Sequence, residues 1–358
     1  MSYYLYVGTY TGGELSDHKY TASKGIYCFN MNPATGQLSN LRSFGEHEID
    51  PGFLAVRGRF LFGENERKDI GTVRSFLINQ DGSLKLIDRM ETEGSKCAFI
   101  STDAFGPYVF ATNYASGSLV VMRCEENGKL KLTDQIQHYG RSVVPLRQDC
   151  PRAHSVKQTP DGLGLLVPDL GIDMIMSYIL DRDTGRVRPN ENQASIRVDP
   201  GEGPRHIVFR PDGKYVYLNT EIGNHVYVYS YCPKTRTLQE IQKISLLPEE
   251  YKEPSYCAEI LTSSDGEYIY VANRGYDTIT CFHSDKQSGY LTLVGQFSSG
   301  GKGPRHICLG PDESYMICAN KDNDNITVLE RDKQTGKLGK VRFTYDIPAP
   351  SCIVWKEV

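Results

Sequence analysis

The sequence is poor in the features that most often announce a function, and each shortage removes a class of explanation. It holds a single tryptophan, Trp355, in 358 residues, and the G-H…W-D pattern of WD-type repeat proteins is absent. Nowhere do 18 apolar residues follow one another, so no membrane-spanning helix is expected. The formal net charge is -4, and no cluster of Lys and Arg interleaves with aromatic residues, which argues against a nucleic-acid partner. Eight histidines contain no H-x-x-x-H or H-E-x-x-H spacing, and no G-x-S-x-G elbow occurs, so neither a helical zinc site nor a serine hydrolase of that type is indicated. Ten cysteines include no C-x-x-C pair and several lie inside apolar runs, as in Ile307-Cys308-Leu309, so buried reduced thiols are expected. The start, Met1-Ser2-Tyr3-Tyr4-Leu5, lacks a basic segment followed by an apolar one, and the expectation is a cytoplasmic protein without cofactor or metal.

What the sequence has is repetition. Gly203-Pro204-Arg205-His206-Ile207, followed by Pro211-Asp212-Gly213 and Asn219-Thr220-Glu221, returns as Gly303-Pro304-Arg305-His306-Ile307, Pro311-Asp312-Glu313 and Ala319-Asn320. An apolar run ending in a small or polar residue occurs seven times, at Thr9, Asn65, Asn113, Asp169, Asn219, Asn273 and Asn320, with a mean spacing of about 52 residues. Turn segments such as Asn79-Gln80-Asp81-Gly82, Asp181-Arg182-Asp183-Thr184-Gly185 and Asp332-Lys333-Gln334-Thr335-Gly336 also count to seven.

One unit reads as four short strands: His206–Phe209, Tyr215–Leu218, Val226–Tyr229 and Leu238–Ile244. Four antiparallel strands at this period make a propeller blade, so residues 1–358 are expected to form one all-β, seven-bladed β-propeller. The first unit begins at its second strand, and Pro350-Ser351-Cys352-Ile353-Val354-Trp355 resembles the first strands elsewhere. The C-terminal strand is therefore expected to complete the N-terminal blade and close the ring.

Blade geometry places the segment entering the first strand and the segment leaving the second on one face, beside the central channel. Entering are Arg152-Ala153-His154, Arg205-His206 and Arg305-His306; leaving are Glu64-Asn65-Glu66, Asn113-Tyr114, Asp169, Asn219-Thr220-Glu221, Asn273-Arg274 and Asn320-Lys321-Asp322. Asn65, Asn113 and Asn219 have a structural alternative as loop-bonding Asx residues. His206 and His306 can equally pack between blades, and Glu221 can be a counter-ion. Arg205, Arg274 and Arg305 near one axis repel unless they serve carboxylates or a bound phosphate, for which the guanidinium fork is suited. Gly300-Gly301-Lys302-Gly303 precedes a strand and so is not a phosphate loop opening a helix.

Along its whole length the sequence resembles the lactonase family of seven-bladed propellers, the group containing the propeller-type 6-phosphogluconolactonases and the fungal carboxy-cis,cis-muconate cyclases. The resemblance rests on Tyr6-Val7-Gly8-Thr9-Tyr10-Thr11, Ala111-Thr112-Asn113-Tyr114, Cys150-Pro151-Arg152-Ala153-His154-Ser155, Val167-Pro168-Asp169-Leu170-Gly171, Gly203-Pro204-Arg205-His206, Val271-Ala272-Asn273-Arg274-Gly275 and Gly303-Pro304-Arg305, in that order. It implies a catalytic group of one His, one Glu and two Arg, which fall at His154, Glu221, Arg205 and Arg274. Arg305, His206, Asn113 and Asp169 are then expected to bind substrate. Two positions depart from the family: Arg152 stands where a second His is common, and Ser95-Lys96-Cys97-Ala98 where Pro-Cys-His is frequent.

The expected activity is metal-independent hydrolysis of a sugar-acid lactone, foremost 6-phosphoglucono-1,5-lactone, with His154 or Glu221 as base. A lactonising muconate cycloisomerase and a non-catalytic binding propeller are the alternatives.

Overall fold

The computed structural model describes residues 2–45 and 49–358. Among these, the strands form seven antiparallel sheets arranged as the blades of a β-propeller. In the fifth blade Pro204–Phe209 lies innermost, followed outward by Tyr215–Thr220, His225–Cys232 and Thr237–Ser245. Tyr, Val and Ile fill the middle strands of each blade, where a pleated surface covered on both faces favours β-branched and aromatic side chains. The outermost strand alternates toward solvent, as in the intermediate-and-exposed pattern of Leu84–Glu91.

The core lies between blades. Each of the seven hydrophobic clusters joins residues from two neighbouring sheets: Tyr217, Val226 and Val228 of the fifth blade meet Ile269, Val271 and Phe282 of the sixth, and Leu5 and Val7 of the first meet Ile317 and Val328 of the seventh. The latter contact closes the circle. The C-terminal strand Pro350–Glu357 pairs with Tyr3–Thr9, from Tyr3 opposite Glu357 to Val7 opposite Ile353, and so becomes the innermost strand of the first blade as expected.

The fourth blade departs from the four-strand expectation. Its inner strand shrinks to Lys157–Gln158 plus a lone bridge between Ala153 and Asp169, and its outer strand is split into Val187–Pro189 and Ser195–Arg197, both paired with Met174–Leu180. All ten cysteines are free thiols; seven are buried, Cys150 and Cys308 are half-buried, and Cys232 is exposed because it ends a strand at an outer hairpin.

Candidate functional site

The seven landmark residues at the ends of the second strands are all fully buried. They are clasps. Asn219 accepts the His206 N–H through Oδ1 (2.9 Å) and donates Nδ2 to the Ala258 carbonyl of the next blade (2.9 Å). Asn113 holds Thr92 and Ser118. Asp169 accepts the backbone N–H groups of Arg152 and Gly171 and binds the His138 ring at 2.7 Å. The polar atoms of Asn113 and Asp169, for which substrate binding is expected from the sequence, are engaged with loops and with the neighbouring strand. A buried Asx side chain stabilises these turns because the backbone groups there have no ladder partner.

The chemistry begins one residue further on. Tyr10, Glu66, Tyr114 and Arg274 each follow a landmark, and Glu221 stands two after Asn219. Opposite them, the inner strands enter through bulges that fall at Ala98, Arg205 and Arg305. A bulge re-aims the extra side chain, here toward the channel mouth. The Gly-Pro-Arg motif serves this entry: Gly203 (φ +66°) and Gly303 (φ +64°) take the left-handed turn, and the proline occupies the first strand position, where its missing N–H costs no ladder bond.

Glu221 is the centre of the resulting cluster. Its Oε2 accepts Arg205 Nε (2.9 Å) and pairs with an Arg274 terminal nitrogen (2.9 Å), while Oε1 pairs with Arg147. His154 Nε2 stands 3.6 Å from Oε2. Burial pushes the Glu221 carboxyl up, but Arg274, His154 and Arg205 outweigh it and hold the group well below the usual range. Burial, reinforced by Arg205, drives His154 down to about 3, so its imidazole is neutral at physiological pH. Arg205 falls to about 10 through burial and the Arg274 charge, and remains a cation.

A second group lies across the cavity. Arg305 sits 4.9 Å from the centre of the Tyr10 ring and 3.3 Å from Glu66 Oε1, which also accepts the Tyr10 hydroxyl at 2.6 Å. Asp17 pairs with Lys96 and Lys68. His18 stacks on Tyr10, and burial together with Arg305 lowers it to about 4. Asp17, His18, Glu66, Lys96, Tyr114, His154, Glu221, Arg274 and Arg305 line one cavity of about 170 Å³. The lining carries three cations (Lys96, Arg274, Arg305) and three carboxylates (Asp17, Glu66, Glu221); Arg147 and Arg205, paired with Glu221 from outside the lining, tip the balance to positive.

Glu64, two residues before Glu66, does not offset this. Its carboxyl is fully buried, with the Phe53 N–H as its one weak backbone donor among the described residues. Burial, then the nearby Glu66 and Asp50, raise it well above the ordinary carboxyl range despite Arg74.

The structure therefore gathers His154, Arg205, Glu221, Arg274 and Arg305. His206 lies deeper, with Nδ1 3.1 Å from Glu259 Oε2 and its ring against Phe99, and is packed below the cavity. Arg147, Lys96, Tyr114, Glu66 and the Asp17–His18 pair were not singled out as site residues. Arg147 lies in the connection between the third and fourth blades, its carbonyl held by Arg152 Nε at 2.9 Å, and Asp17–His18 in the connection Tyr10–Gly25. Neither segment has a counterpart in the other units, so periodicity passes over both. The longest intervals between landmarks, Thr9 to Asn65 and Asn113 to Asp169, were the available signal. Among the described residues no three His, Cys, Asp or Glu side chains are grouped as ligands for a metal ion, and no helix is long and apolar enough to cross a membrane.

Comparison with known proteins agrees with this arrangement. The chain is 31% identical to the 6-phosphogluconolactonase of Bacillus subtilis over 355 residues, 98% of this chain and 97% of that one. It is 30% identical to the 6-phosphogluconolactonase of Formosa agariphila, with 86% of each chain covered. The structure of the periplasmic gluconolactonase of Pseudomonas aeruginosa superposes over 100% of both chains with a TM-score of 0.91 at 28% identity. The family model described as lactonase, 7-bladed beta-propeller, matches residues 4–355, and the chain belongs to that family.

Proposed function

We propose that the protein hydrolyses the lactone of a sugar acid bearing an anionic group, foremost 6-phosphoglucono-1,5-lactone. The observation that carries this reading is the pairing of a neutral, buried His154 with a Glu221 held by three arginines, beside an open and positively charged cavity. Two of the curated relatives bear the name 6-phosphogluconolactonase, and a structural neighbour that of gluconolactonase.

Of the two candidate bases, His154 fits better. Both Glu221 oxygens are already taken by Arg147, Arg205 and Arg274, whereas the uncharged His154 ring faces the cavity with room for a water. Water attacks the lactone carbonyl carbon and gives its proton to His154 Nε2. The imidazolium so formed lies 3.6 Å from the Glu221 carboxylate, which stabilises it. Charge on the carbonyl oxygen meets Arg274, whose guanidinium is already fixed by Glu221 and by the Tyr256 and Cys257 carbonyls. Collapse of the tetrahedral intermediate breaks the bond to the ring oxygen, which takes the proton back from His154. Arg305 and Lys96, on the far wall, are placed to hold a phosphate. The cavity is smaller than the roughly 300–1,000 Å³ of drug-sized sites, as suits a small metabolite.

The test follows 6-phosphogluconolactone and a carboxymuconolactone in parallel with purified protein, each corrected for uncatalysed ring opening. Turnover of the sugar lactone is expected, falling about 10²–10⁴-fold in His154→Ala. Turnover confined to the muconolactone makes the protein a cycloisomerase; turnover of neither, or an active His154→Ala, overturns the reading.

A further inference from the structure

Below the cavity the channel carries a second histidine–carboxylate pair that the proposed reaction does not use. His206, from the fifth blade, places Nδ1 3.1 Å from Glu259 Oε2 of the sixth. His306, from the seventh, places Nε2 3.4 Å from the same oxygen. The Ile353 N–H points at His306 Nδ1 at 3.4 Å, so that nitrogen is the acceptor and Nε2 carries the proton directed at Glu259. The Glu259 carboxylate accepts from His206 Nδ1, which fixes His206 as its Nδ1–H tautomer and leaves Nε2 with a free lone pair.

That lone pair has no hydrogen-bond partner among the described residues, and neither has Nδ1 of His154. The two rings are neighbours, with centroids 5.2 Å apart and planes at 71°. Phe99 and Phe53 pack against His206 and screen it from solvent. Two orphaned buried nitrogens side by side are unfavourable singly and complementary together, since a buried polar atom without a partner costs about 1–3 kcal/mol.

The cavity side of His154 points the same way. Its Nε2 is 3.6 Å from Glu221, beyond an ordinary hydrogen bond, and that oxygen already takes Arg205 and Arg274. A proton on Nε2 is therefore held only by this long contact to Glu221. A base working through Nε2 must carry its proton on Nδ1, the orphaned nitrogen of a ring packed edge-on against His206.

We infer that Glu259 and His206 are positioning residues that act on His154: Glu259 orients His206, and His206 Nε2 accepts the His154 Nδ1–H, through one bridging water or a small ring movement. The chain runs from the sixth blade through the fifth to the fourth. It keeps the His154 Nε2 lone pair aimed at the cavity and spreads the charge of the imidazolium when that nitrogen takes a proton; no proton need leave His154 along it. The groups facing His154 are Glu221, Arg205, Tyr114 and His206. Those facing His206 are Glu259, His306, Arg205 and Arg305. Glu259 brings the negative charge on the channel side.

This inference rests on His154 being the base, and its test has a readout independent of turnover. Imidazole ¹⁵N chemical shifts of ¹⁵N-histidine-labelled protein, assigned with His154→Gln and His206→Gln, report which ring nitrogen is protonated. At pH 7 the wild type is expected to show Nδ1–H for both residues. In Glu259→Gln the Nδ1–H preference is lost at His206 and, through it, at His154, while Glu259→Asp retains it. On the sugar lactone, Glu259→Gln is expected to lower kcat about tenfold or more with KM within a factor of two. A wild-type His154 protonated on Nε2, or a tautomer indifferent to Glu259→Gln in a folded protein, overturns the relay even if lactonase activity is found. Absence of activity with the expected tautomers sinks the lactonase reading and leaves the relay standing.

Discussion

Glu64→Gln should stabilise the protein, and by an amount that depends on pH. The carboxyl is fully buried, and burial, Glu66 and Asp50 raise it well above the ordinary value of 4.5 against the opposing pull of the Phe53 N–H and Arg74. A raised folded-state pKa means that the folded protein keeps a proton the unfolded chain has released. Stability then falls as pH rises above 4.5, by about 1.4 kcal/mol per pH unit, until the folded pKa is reached. Each pH unit over which the folded carboxyl keeps its proton costs about 1.4 kcal/mol. Glutamine has the same shape and no proton to hold, so the substitution removes the penalty. For a chain of this length, an unfolding entropy of about 2.1 cal/mol/K per residue converts each such unit to a rise in Tm of about 2 °C in the variant. Thermal unfolding followed by circular dichroism at pH 4.5, 5.5 and 7 measures it. The difference between variant and parent should vanish at the lowest pH and grow with each step. A gain independent of pH, or a loss at pH 7, would refute the reasoning and imply that Glu64 is ionised and paired. The functional stake is the charge of the cavity, because an ionised Glu64 beside Glu66 would cancel much of the excess of cations that an anionic substrate needs.

Two further outcomes follow from the architecture and the site. Removing residues 350–358 takes away the inner strand of the first blade with the buried Cys352 and Ile353 and the partly buried Val354 and Trp355, at about 1.5–3 kcal/mol for each large apolar side chain; the whole ring should melt well below the parent, and an unchanged Tm would show that strand to be dispensable. Because burial and Arg205 hold His154 near 3 in the free protein, kcat/KM for sugar-lactone hydrolysis should be flat from pH 5 to 7, with the acidic fall below that range. An unphosphorylated gluconolactone, measured alongside, removes the phosphate's own titration, and an inflection near 6.5 would contradict the assigned environment.

The fold was legible because a propeller repeats its turn chemistry. Thr9, Asn65, Asn113, Asp169, Asn219, Asn273 and Asn320 mark every blade, since each second strand ends at a turn that needs a buried polar clasp. The same logic obscured part of the site. Asn113 and Asp169 are recognisable as repeat elements, and what makes them so is structural. Residues with chemical roles break the pattern: the position after the landmark is Tyr10, Glu66, Tyr114, Leu170, Thr220, Arg274 and Lys321 around the ring, no two neighbours alike. His154, Arg205, Glu221 and Arg274 emerged because geometry and family resemblance converged on them. Arg147 and Asp17 did not, because each belongs to a loop inserted in one unit only, where no neighbouring copy predicts its path. Glu259 was hidden for a third reason: its partners, His206 and His306, lie 53 and 47 residues away in other blades, and only closure of the ring brings them together.

The rings of Phe53, Phe99, His206 and His306 come from the second, third, fifth and seventh blades and touch one another, with centroid separations of 4.5 to 5.8 Å. Side chains from such distant blades can meet only on the axis, so at this depth the hole through the propeller is stoppered. The molecule is a cup, not a tube. On the proposed reading, a product formed at His154 must back out past Lys96 and Arg305 through the rim by which the substrate came, with any phosphate it bears and a new carboxylate as well. Departing product and arriving substrate thus contend for one doorway, and the cations that draw the substrate in are the same ones that delay the exit.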